Sequence, residues 1–233
     1  DDASSMIARD LVRTMVETSI CDPMAMATLA DWRLNNSPSD SVPSDFTSSE
    51  LKAVRECELI DNERDLLGRI CRLASTTQQS RLEALQKLIE DLREDGSSSI
   101  VIFANYQSTA DRVHSFLSQR LGANVILRHD LDSLAWTRFQ NANNGLVLVC
   151  ARRAEEGLNL QTRRSIAVHF DLPFSPNRIE QRIGRLDRFG SGQPIRSFAV
   201  IAADSRIQNA WYNLLASGYE VFNQSIASLQ YVI

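Results

Sequence analysis

Three polar side chains, Gln181, Arg185 and Arg188, recur at i, i+4 and i+7. That spacing places them on one face of an α-helix. Each guanidinium is a rigid fork matched to phosphate oxygens, so two of them and an amide, one turn apart, can converge on a polyanion. A solvated basic face would have the same spacing, and the row alone does not fix a ligand. The surrounding residues do predict the helix, over 176–188. Ser175 can cap it and Pro176 can open it. Ile179, Ile183 and Leu186 fall on a different face and are expected to turn inward. Gly184 would let something pack closely against the helix.

Two more segments could carry chemistry. In Cys150–Gln161 (CARRAEEGLNLQ), Arg152 and Arg153 could meet phosphates. There Gly157 permits a turn or close approach, and Asn159 can bond backbone or ligand polar groups. In Ala104-Asn105-Tyr106-Gln107 the polar groups could touch a ligand or cap the following helix. Other chemistry is missing. None of the nine glycines is followed by Lys, so there is no P-loop of the Gly-Lys-Ser/Thr kind. No Asp-Glu pair follows a strand to hold magnesium. His114, His129 and His169 lie far apart, and no zinc site or Ser-His-Asp arrangement suggests itself. The chain has groups that could complete a nucleotide site but none to hold the nucleotide and its metal.

These segments share a position. Short apolar runs at 100–103, 125–127, 146–149, 166–170 and 197–202 alternate with helical patterns at 107–121, 131–140 and 176–188. The alternation predicts a parallel α/β sheet covered on both faces. Each candidate segment follows a strand, where ligands bind in such sheets. Residues 1–95 predict a helical annex, with a Ser/Pro/Asn/Asp-rich loop at 35–49 and helices at about 50–73 and 78–93. Asp22-Pro23 reads as a helix cap followed by Pro at the first helical position. The α/β lobe is expected over 96–204 and a helical extension over 205–233.

The chain has 233 residues, 43% of them hydrophobic, and a net charge of −4. Residues 1–95 hold 11 basic and 19 acidic side chains, a net of −8. Residues 96–233 hold 14 basic and 10 acidic, a net of +4, and every base there is Arg. Eight arginines fall between Arg152 and Arg188. No apolar run approaches the ~20 residues that span a bilayer, so no membrane partner is expected. Cys21, Cys57, Cys71 and Cys150 have neither metal-site nor redox spacing. Free thiols and a cytoplasmic location are the expectation. The chain begins at Asp1 without Met, as expected of a piece of a longer polypeptide.

In order, SIVIFANY (99–106), ARRAEEGLNLQ (151–161) and QRIGRLDR (181–188) resemble motifs IV, V and VI of the second RecA-like lobe of superfamily-2 helicases. FDLPFSPNRIEQRIGRLDRFGSGQ (170–193) resembles the Swi/Snf-type ATPases, and most of all their bacterial RapA-type branch. The resemblance covers roughly 75–205 and implies a RecA-like lobe preceded by a helical segment. It implies that Arg185 and Arg188 face ATP and Mg2+ held mainly by an N-terminal RecA-like lobe of the same protein. Arg188 is the better candidate for arginine finger, with Gln181 on the same surface. Gly157 and Asn159 would couple nucleotide to nucleic acid, while Asn105, Tyr106 and Arg152 would touch the nucleic-acid backbone. Ala154-Glu155-Glu156 stands where the family has a small Gly/Ser-containing patch, and two carboxylates there weaken the case for nucleic-acid contact. The implied activity is an ATP-dependent double-stranded DNA translocase or remodeller. A strand-separating helicase is the alternative enzyme. A docking module for a protein is the non-enzyme alternative. RNA polymerase and DNA-modification or defence complexes are the partners the resemblance offers.

Overall fold

The computed structural model describes residues 2–35, 43–58, 60–94, 99–129, 134–142, 145–155, 165–186 and 195–222. The chain divides into two compact units, Asp1–Ser80 and Arg81–Ile233.

The first unit is helical, with α1 (Asp2–Cys21), α2 (Pro23–Asn35), α3 (Ser48–Glu56) and the start of α4 (Glu63–Glu94). The Asp22 carboxylate accepts from the Met24 backbone N–H at 2.8 Å, so Asp22-Pro23 caps and opens α2 as its sequence predicts. Thr47 and Glu50 form a reciprocal capping box at the start of α3. The helical stretch expected over about 50–73 is interrupted between α3 and α4, where Asn62 takes a left-handed φ of 64°. Conversely, the break expected near 74–77 is absent. The Thr77 and Ser80 hydroxyls bond back to the carbonyls of Leu73 and Thr76, which lets polar residues sit inside the long α4.

One buried ion pair holds this unit's loops. The Arg33 guanidinium is bonded through Nε and Nη2 to the Glu63 carboxylate. It also donates to the carbonyls of Val54, Cys57 (3.1 Å) and Glu58 (3.2 Å). The bond from Arg33 holds the Glu63 carboxyl below its ordinary range.

The second unit is a five-stranded sheet. Its strands are β1 (Ser99–Phe103), β2 (Ile126–Arg128), β3 (Val147–Cys150), β4 (Ser165–His169) and β5 (Arg196–Ala199). They lie in the order β2-β3-β1-β4-β5, and every pair is parallel. On one face Ile100, Ile102, Ile126, Val147, Val149, Ile166 and Val168 meet α5 (Gln107–Leu121) and Leu82, Leu85, Ile89 and Leu92 of α4. On the other, Val101, Phe103, Leu148, Cys150 and Ala167 meet α6 (Ala135–Asn141) and Leu186 of α7 (Pro176–Leu186). Burial on both faces explains why the strands read as unbroken apolar runs. The second unit begins earlier than the composition suggests, because the apolar stripe of α4 after Ser80 belongs to the sheet's core. After β5, α8 (Arg206–Asn213) and a π-helical turn pack Trp211 and Leu215 against Leu172 and Ile179.

Candidate nucleotide and nucleic-acid face

The chain reverses its direction of winding at β1/β4. β1 feeds β2 on one side of the sheet, and β4 feeds β5 on the other. Such switch points leave a crevice beyond the carboxyl ends of the strands. Here a buried polar network fills it. The Asn105 backbone N–H donates to Asp171 Oδ2 at 2.8 Å. Arg182 Nη1 donates to the Asp171 carbonyl at 2.9 Å, and its Nη2 donates to Asn105 Oδ1 at 3.3 Å. Arg182 Nη2 also lies 3.6 Å from Asp171 Oδ1, with both side chains fully buried. The guanidinium sits over the Phe103 ring, 5.5 Å from its centroid.

Behind this network lies His169, stacked on Phe103 and bonded through Nε2 to the Ser197 hydroxyl at 3.0 Å. Burial, with the nearby Arg182 charge, pushes its pKa down to about 3. It is therefore a neutral ring in the core at neutral pH.

Around this plug the candidate residues take different positions. Asn105 is buried, with its side-chain oxygen committed to Arg182. Tyr106 is half-buried and is the N-cap residue of α5, without a side-chain capping bond. The polar segment after β1 therefore does not cap α5 through that side chain. Arg152 is exposed at the start of the 3₁₀ turn Arg152–Glu155, directly beyond β3. α7 packs against this turn and against β4. Gln181 is exposed and Arg185 half-buried, one turn apart on α7. Gly157, Asn159 and Arg188 lie outside the described residues.

The structure adds to the sequence reading in two places. The buried residues of α7 are Ile179, Arg182 and Leu186, with Ile183 only partly buried. Ile179, Ile183 and Leu186 do pack inward, and Arg182 joins them at a buried position that the apolar pattern did not mark. The basic half also holds a second buried arginine. Arg128 is buried, bonded to Asp111 at 3.1 Å and to the Val149 carbonyl at 3.3 Å. Gly184, by contrast, has nothing within 4 Å of where a Cβ would stand among the described residues. Among the described residues it serves no close packing.

Gln181 and Arg185 on α7 are the described residues that the sequence marks for a nucleotide's phosphates. The metal is another matter. Among the described residues no group of three or more His, Cys, Asp or Glu could hold an ion.

A parallel five-stranded sheet in this order, covered by helices on both faces, has the fold of RecA-like helicase lobes. Residues 80–190 match the family described as Helicase conserved C-terminal domain. RapA, the RNA polymerase-associated protein, of Vibrio campbellii is 35% identical over 114 residues, 46% of this chain and 12% of that protein. The Vibrio atlanticus protein of the same name is 37% identical over 109 residues, 44% of the chain and 11% of the protein. The Pyrococcus furiosus Hef helicase domain superposes with a TM-score of 0.51 at 19% identity, covering 89% of this chain and 41% of that one. The C-terminal part of the Fun30 ATPase domain gives 0.52 at 17% identity, covering 86% and 70%. Over residues 80–190 the chain is thus similar to the helicase conserved C-terminal domain and, at 35% identity, to a part of the RapA proteins. The matched stretch is 12% of the length of the RapA proteins. Among the described residues, no helix is long and apolar enough to cross a membrane.

Proposed function

We propose that this chain is the C-terminal half of an ATP-driven translocase or remodeller acting on double-stranded DNA. The observation that carries this reading is the α7 face. It sets Gln181 and Arg185 one turn apart beyond the switch point of a helicase C-terminal lobe, in a sequence without a P-loop. ATP and Mg2+ are held by a companion N-terminal RecA-like lobe. Arg185 binds the phosphates and Arg188 is the arginine finger, neutralising charge that develops on the γ-phosphoryl oxygens; such a group is worth ~10³–10⁵ in rate. Because the finger stands on a separate lobe, hydrolysis waits on closure, and closure moves the lobes along the duplex. Tyr106 and Arg152 contact the phosphate backbone. Asn105, named with them from the sequence, is buried and bonded to Arg182, so it supports that edge without touching the nucleic acid, and Gly157 and Asn159 link that groove to the nucleotide. Phosphate contacts of this kind are insensitive to base sequence and weaken with salt.

The acidic helical segment supports a protein partner rather than a second DNA surface, since residues 1–95 carry a net of −8. RNA polymerase is the partner suggested by the RapA relatives, in a cytoplasmic setting.

The test joins this chain to its P-loop lobe and measures ATP hydrolysis and duplex transport. Stimulation by double-stranded DNA, with displacement of a triplex-forming strand but no separation of the duplex, supports the proposal. Unwinding of a forked duplex would reassign the chain to a strand-separating helicase.

A further inference from the structure

We infer that Arg182 is a positioning residue that fixes the rotation of α7 against two strand ends at once, and so sets where Gln181 and Arg185 stand. This rests on the proposed nucleotide role of that face. Its own footing is the network at the β1/β4 switch point.

Packing alone does not ask for a charge at this position. The flanking inward residues of α7 are Ile179 and Leu186, and an apolar side chain between them would continue the row. Arg182 and Asp171 are instead both fully buried. A buried ion pair often adds little net stability over well-packed apolar residues of similar volume. What it adds is direction. Two nitrogens of one planar fork reach two chain segments: the Asp171 carbonyl beyond β4 at 2.9 Å, and Asn105 Oδ1 beyond β1 at 3.3 Å. Asp171 closes the triangle by accepting from the Asn105 backbone N–H at 2.8 Å. The Phe103 ring supports the guanidinium from β1. An apolar contact tolerates sliding, but this triangle does not.

Gln181 is the residue just before Arg182 on α7, and Arg185 is about one turn after it. A rotation of the helix that loosens Arg182 therefore moves both of them. Displacing a catalytic group by about 1 Å can cost ~10²-fold in rate. The same triangle includes Asn105, neighbour of Tyr106 at the proposed nucleic-acid edge. It thus joins that edge to the nucleotide face without passing through solvent.

The experiment uses the chain joined to its P-loop lobe, with Arg182→Lys, Asn105→Ala and Arg185→Ala measured side by side. Lys keeps a positive charge beside Asp171, but its single nitrogen does not bridge the two segments as the fork does. Asn105→Ala removes one acceptor and leaves the buried ion pair. We expect both to lower DNA-stimulated kcat by about 10- to 100-fold. KM for ATP and the DNA concentration for half-stimulation should stay within about twofold, because no ligand contact is lost. Wild-type kcat in Arg182→Lys and Asn105→Ala, beside a collapsed Arg185→Ala, overturns this inference and leaves the motor reading standing. So does a raised DNA half-stimulation with unchanged kcat in Asn105→Ala, which would make Asn105 a DNA contact. Activity losses that vanish when the variants are stabilised by cooling also overturn it, since they report folding alone. Full turnover in Arg185→Ala sinks the motor reading itself.

Discussion

At the scale of single residues, buried charges organise both units. Arg33 ties Glu63 to the Val54 carbonyl at the end of α3 and to the Cys57 and Glu58 carbonyls beyond it, and Arg182 ties Asp171 to Asn105. Removing one partner of such a pair strands the other, at a cost of about 3–5 kcal/mol. Glu63→Gln is therefore expected to destabilise the helical unit by roughly that amount, read from its urea transition; an unchanged midpoint would contradict the assignment. His169 makes a separate forecast. Its folded pKa of about 3 lies well below the ordinary histidine value of 6.5, so the unfolded chain binds the proton first. Stability is retained above pH 6.5 and falls as the pH drops from there toward 3, by at most about 1.4 kcal/mol per pH unit from this group. Between pH 7 and pH 5 the wild type should lose up to about 2 kcal/mol more than His169→Gln. Equal losses would show that the ring is not held neutral by burial. None of this was legible in the sequence. Arginines count alike in a composition, and only the fold separates Arg182, bonded to a strand end, from Arg185 beside it.

At the scale of elements, the strands were the most legible part, since burial on both faces leaves little room for polar residues. Leu148→Ala, in the middle of β3, should cost about 2–5 kcal/mol by thermal or urea unfolding. The helices were harder to bound. The stretch 74–77 read as a break, yet the Thr77 hydroxyl bonds back to Leu73 within α4. Asn62 gave no comparable sign of the left-handed turn that separates α3 from α4. On α7 the expected inward row of Ile179, Ile183 and Leu186 holds, but the buried Arg182 was missed because a charged side chain is rarely taken for core. Gly184 belongs to the outward part of this helix and meets nothing within 4 Å among the described residues. Gly184→Ala should then stabilise the isolated chain by about 0.5–1 kcal/mol, through helix propensity and a less flexible unfolded state. Destabilisation instead would mean that the space beside α7 is already filled within this chain.

At the scale of the whole molecule, the division of labour follows from what the sequence holds and lacks. The second unit offers an amide, guanidinium groups and strand-end loops, while the P-loop is missing from all 233 residues. The three motifs with their strand context made the lobe's class readable, and the family match over residues 80–190 agrees with it. The 233-residue chain alone should show no ATP hydrolysis above background, measured as phosphate release with and without double-stranded DNA. The central claim, that this lobe completes a nucleotide site held elsewhere, meets its most direct test in steady-state ATP turnover. Arg185→Ala and Arg188→Ala are compared with wild type in the chain joined to its P-loop lobe, with DNA saturating and folding verified. The account predicts that the finger variant, assigned to Arg188, loses ~10³-fold or more in kcat and that Arg185→Ala is also severely impaired. Turnover unchanged in either variant would contradict it.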